Sequence, residues 1–206
     1  RANLRGDYRF RGLEEFSIQR PIVRGYSWEP LLADVLLEEG LLSLKHDFAF
    51  LKINGDAKGL YAIEEVPSTR MLERQGRKAG PIFGLDEDYG TTIKSLLDPY
   101  ETKTWEGTKI LQYAEQSLYS EFEKALKGGT FSSGKFDMEE WAKFFALVDL
   151  FEAYHGSVPK SVKFYYNPVK GLFQPLLFDG HVGAGSFDEF TFIDLIIDEQ
   201  TLSCDW

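Results

Sequence analysis

The chain has 206 residues, 43% hydrophobic and 15% aromatic, enough apolar material for a sizeable core in one domain. Its 33 acidic residues against 23 basic give a formal net charge of −10, which disfavours nucleic acid and anionic membranes and suits a basic protein partner or carboxylates neutralised by metal ions. The lone cysteine, Cys204, excludes an internal disulfide and a paired-cysteine zinc or redox site; no apolar run is long enough for a membrane span, no signal peptide opens the chain, and Arg1 in place of Met fits a processed or trimmed chain.

In chain order, Trp28–Glu39 predicts a helix with leucines on one face, ended by Gly40. Asp47–Asn54 and Gly59–Glu65 predict two strands joined by the turn chemistry of NGDAKG. Ser68 is placed to cap a short helix, TRMLERQG, that ends at Gly76. Thr108–Lys127 predicts a second long helix, followed by Gly128 and Gly129 and then a loop over Thr130–Lys135. Asp137 and Glu140 have capping-box spacing, and Phe136 and Trp141 stand where a hydrophobic staple needs them. The helix that follows, EEWAKFFALVDLFEAYH, is apolar almost all the way round and so reads as buried. Asp149 and Glu152 stand out there, because a buried carboxylate is costly without a partner.

A strand pair, Val162–Pro168 and Leu172–Phe178, comes next, with an Asn-Pro turn signal and Gly171 between its arms. It delivers Asp179 to a polar position at the end of an apolar hairpin, ahead of the glycine-rich stretch GHVGAG. The terminal segment TFIDLIIDEQTLSCDW suits either a helix or a strand. Element order gives an α+β fold, with a small sheet-bearing part and a larger helical part. The usual catalytic signatures are missing: no phosphate-binding P-loop, no GxGxxG, no GxSxG elbow, and no HExxH spacing among His46, His155 and His181.

Two blocks together resemble the CotH family, kinase-like proteins named for a spore coat protein. One is FAFLKINGDAKGLYAIEE, Phe48–Glu65, continued by LERQGRKAGPIFGLDED; the other is Phe136–Asp179, with its apolar helix and the aromatic hairpin KFYYNPVKGLFQPLLF. GLEEFSIQRPIVRGYSWEPLL is similar to the entry to that family's first helix, so the resemblance covers most of Leu13–Gly185.

The resemblance implies one domain over 1–206 with an atypical protein-kinase-like fold, a smaller sheet-bearing lobe near 1–90 and a larger helical lobe near 91–206. It further implies ATP with Mg2+ or Mn2+, transfer to Ser or Thr of a protein substrate, a coat or surface protein as partner, and an extracellular or cell-envelope location. Asp179 then corresponds to the metal-holding Asp, and Glu64 and Glu65 to the segment lining the adenine site. Departures are equally specific. Aligned on the hairpin, the catalytic-loop Asp and the metal-binding Asn fall at Gly156 and Ser161. His155 is the adjacent candidate base, with Asp149 upstream as a second candidate. The N-terminal stretch is short and lacks the lysine expected to touch phosphates, for which Arg9 or Arg11 is the substitute at hand. These departures also fit a non-catalytic surface, coat or adhesion module.

Overall fold

A computed structural model describes residues 2–4, 6, 8–85, 97–158 and 160–180. The expected loop from His181 to Gly185 and the terminal segment lie outside them, as does the expected lobe boundary near residue 90. Helices are mixed with two small antiparallel sheets, as an α+β fold requires.

The first sheet has the order β1-β2-β4-β3, from β1 (Ala2–Asn3), β2 (Glu15–Gln19), β3 (His46–Ile53) and β4 (Asp56–Glu65). The link between β3 and β4 is tighter than the NGDAKG reading. Asn54 and Gly55 alone make it, with φ of 51° and 90°. Two consecutive positive φ values are what a two-residue hairpin turn needs to match strand twist. The register then shifts by one residue between Leu51 and Lys52, beside Gly59 at φ 96°. Past that bulge His46 pairs with Glu64, and on the other side of β4 Ser17 pairs with the same Glu64.

Between β2 and β3 of this sheet, a 3-10 turn over Pro21–Arg24 ends at Gly25 in the left-handed region, and α1 spans Trp28–Glu38. Gly40 follows at φ 79°, in accord with its predicted role as a stop. Helix α2 is Thr69–Arg74, and Ser68 caps it by accepting from the Met71 amide at 3.2 Å.

The second sheet has the order β6-β5-β7-β8, from β5 (Ile82–Leu85), β6 (Leu97–Pro99), β7 (Lys163–Asn167) and β8 (Leu172–Leu176). The β7–β8 pair is the predicted hairpin, shorter by one or two residues at its ends. Asn167 organises its turn by accepting from the Val169 and Lys170 amides at 3.0 and 3.2 Å. Leu32, Leu36, Phe83, Phe144, Phe173 and Leu177 are buried together in the main core.

Short α3 (Thr102–Trp105) leads to α4 (Lys109–Leu126), capped by Thr108, which accepts from Leu111 N at 3.3 Å. Helix α5 spans Met138–Leu150 and departs from expectation in three ways. Its N-cap Asp137 makes no capping bond; Lys170 Nζ and Gln174 Nε2 take its carboxylate at 2.7 and 2.8 Å. The staple does form, with the Phe136 and Trp141 rings 6.0 Å apart. The helix ends at Leu150, not His155, because Glu152 enters the left-handed region and a 3-10 turn over Tyr154–Ser157 takes over. It buries Trp141, Phe144 and Val148 but leaves Leu150 74% exposed. Asp149 is accordingly only half-buried, and Glu152 is exposed.

Candidate functional site

The polar centre of the molecule is built on Arg24, a residue that sequence reasoning passed over. The turn at Pro21–Arg24 and the left-handed Gly25 and Tyr26 fold its side chain inward, where it is 1% exposed. Three carboxylates from three parts of the chain surround it. Nη2 donates to Glu64 Oε2 at 2.6 Å, Nη1 lies 3.4 Å from Glu29 Oε1, and Nη1 is ion-paired with Asp179 Oδ1. Burial by itself lowers the Arg24 pKa, but the three carboxylates outweigh it and the net shift is upward.

Each acid is placed by backbone geometry. Glu29 stands in the first turn of α1, where a carboxylate complements the helix dipole, and its Oε1 accepts from the Gly180 amide at 2.8 Å. Glu64 sits in the middle of a row across the sheet: Ser17 Oγ donates to its Oε2 at 2.9 Å, and His46 is its opposite partner on β3. Asp179 follows β8 with φ 57°, a left-handed conformation that Asp tolerates better than most residues.

Taking carboxylates out of water raises their pKa. Burial pushes Glu29 from 4.5 to about 7, against the pull of Arg24, and moves Glu64 upward for the same reason. His46 is driven down to about 3, first by burial and then by Arg24, so its ring is neutral. Four buried atoms of this centre have no hydrogen-bond partner among the described residues: Arg24 Nε, Glu29 Oε2, Glu64 Oε1 and His46 Nδ1. One ligand-type atom from each of Glu29, His46 and Glu64 lies within 4.8 Å of the others'.

The candidates read from sequence divide. Glu64, Asp179 and His155 come together. His155 Nδ1 donates to the Asp179 backbone carbonyl at 2.6 Å and lies 3.7 Å from its Oδ2. Ser161, 1% exposed, places its hydroxyl 3.3 Å from the same nitrogen. Gly156 is closely packed: a Cβ there would stand 2.2 Å from Leu177 Cδ1 and 3.2 Å from Gly180 Cα.

The other candidates face elsewhere. Glu65 is bonded by Arg74 through both of its oxygens and accepts from the Lys45 amide at 3.0 Å. It borders a separate cleft of about 290 Å³, lined also by Glu14, Ser68, Arg70 and Tyr100. Arg9 is ion-paired with Glu14, and Arg11 with Asp47. Asp149 lies in the last turn of α5 and is not among the three carboxylates that Arg24 gathers.

No curated protein matches the chain. The family described as CotH kinase protein matches residues 2–201, nearly the whole length, so the resemblance seen in the two sequence blocks extends across the fold and through its polar centre. The chain belongs to the CotH kinase protein family.

Proposed function

We propose that this CotH-family chain is a kinase-fold binding module that does not transfer phosphate, serving as a partner for another protein at a coat or surface. The observation that carries this reading is the pairing of Asp179 with buried Arg24. A kinase-type metal Asp must present an open carboxylate to a cation that bridges phosphates. Here that carboxylate is already neutralised by a guanidinium whose charge is permanent.

The neighbouring positions support the same conclusion. An aspartate at 156 is opposed by the Leu177 side chain, and Ser161 supplies a hydroxyl where an amide oxygen would hold the second metal. The donor set around Asp179 therefore does not suit a metal–nucleotide complex. His155 is held by the Asp179 carbonyl, which fits a brace between the 3-10 turn and the end of the hairpin.

The test is transfer of labelled phosphate from ATP, with Mg2+ or Mn2+, to a serine-rich acceptor protein. The expected result is no incorporation above that of an Asp179→Ala variant. Sustained incorporation by the native chain, abolished in Asp179→Ala, would overturn the reading.

A further inference from the structure

We propose that Glu29, His46 and Glu64 form a site for one divalent transition-metal ion of the zinc class, separate from the Asp179 carboxylate. The proposal does not rest on the binding-module reading and stands or falls independently of it.

The geometry is that of a site with its ligands assembled. Each of the two carboxylates commits one oxygen to the protein: Glu29 Oε1 to the Gly180 amide and Glu64 Oε2 to Arg24 and Ser17. The second oxygen of each, Glu29 Oε2 and Glu64 Oε1, is buried without a partner among the described residues, as is Nδ1 of His46. Glu29 is 1% exposed and Glu64 2%, so water does not satisfy these oxygens from outside. Such atoms are rare in native proteins, and each is costly unless something fills the gap.

Charge points the same way. Glu29, Glu64 and Asp179 face the single guanidinium of Arg24. Fully ionised, the group carries two negative charges in excess, the deficit that one dication cancels. The open oxygens are not the ones that Arg24 contacts, so guanidinium and ion would share the carboxylates.

Donor chemistry selects the ion. A neutral imidazole with two carboxylates suits zinc and its neighbours, whereas Mg2+ and Ca2+ prefer all-oxygen shells. In a tetrahedral shell, ligand atoms about 2.0–2.2 Å from zinc stand about 3.3–3.6 Å apart. The three residues here offer atoms within 4.8 Å of one another, so binding draws them together by at most about 1.5 Å. The ion would tie α1 to β3 and β4.

The experiment is titration of EDTA-stripped full chain with Zn2+, followed by calorimetry and thermal melting, with Mg2+ as the comparison ion. Expected are one Zn2+ per chain, a raised melting temperature, and far weaker binding of Mg2+. His46→Leu and Glu64→Gln should each weaken Zn2+ binding at least tenfold, the low end of what loss of even an outer-sphere partner costs. Glu64→Gln keeps the side chain's shape, so it remains informative if His46→Leu fails to fold. Lys127→Ala, a change on the exposed end of α4, should leave the affinity unchanged. Absence of saturable Zn2+ binding would overturn the site. Binding that survives both ligand changes would overturn it too.

Discussion

Glu29→Gln isolates the electrostatic strain at the polar centre. In the unfolded chain this carboxyl titrates near 4.5; burial lifts it to about 7 in the folded one. A raised folded pKa means that the folded state holds its proton more tightly. The stability it contributes is fully present below 4.5 and is lost as pH rises through about 7. The whole effect is about 3 kcal/mol, of which about 2 kcal/mol falls between about pH 5.5 and 8. Glutamine removes the titration while retaining an oxygen for the Gly180 amide, which now bonds Glu29 Oε1. The stability of Glu29→Gln relative to native should therefore climb by about 2 kcal/mol over that range, or about 4–8 °C in melting temperature for a chain of this size. Urea unfolding of both proteins in EDTA at several pH values measures it, and using the difference cancels the remaining titrating groups. A difference that stays flat, or that falls as pH rises, would refute the reasoning.

Two further outcomes follow from the same centre. Arg24→Met leaves Glu29, Glu64 and Asp179 without their cation and should cost about 3–5 kcal/mol at pH 8, with partial recovery on acidification; denaturant titration within about 0.5 kcal/mol of native would count against Arg24 as the hub. Gly156→Asp, which restores the missing acid, should lower stability by about 1–3 kcal/mol through overpacking against Leu177 and confer no phosphate transfer. Thermal melts and the labelled-ATP assay check both halves, and a stable, transfer-active variant would contradict the packing argument.

Local chemistry explains which parts of this arrangement were legible in the sequence. Ser68 announces its helix because a cap is a contact across three residues, within reach of pattern reading. The β7–β8 hairpin is announced by Asn167 and Gly171, again neighbours in the chain. Asp137 misled because its capping role was judged from spacing alone, while Lys170 and Gln174, more than thirty residues away, took its carboxylate. Arg24, Glu29 and His46 went unread for the same reason. Their partners lie across α1, two strands and the end of β8, and nothing in the neighbouring sequence marks an arginine as buried. The family resemblance located Asp179 and Glu64 but not the guanidinium between them.

The register shift beside Gly59 has a reach well beyond its hairpin. Counted back from Asn54-Gly55 with Lys58 paired in a regular ladder, His46 would face Ile63; with Lys58 looped out, His46 faces Glu64. Side chains alternate between the two faces of a sheet, so a single inserted residue decides which of them share a surface. The Leu51–Gly59 pair that marks the shift lies about 17 Å along β3 from His46, at about 3.3 Å per residue. Deleting Lys58 would remove the bulge and leave His46 opposite Glu64, whereas pairing Lys58 into the ladder would slide one strand past the other and put an isoleucine where the glutamate belongs. The looped-out residue near the hairpin tip thus lets Lys58 be lost without disturbing the polar centre, because the bulge, not the ladder, absorbs it.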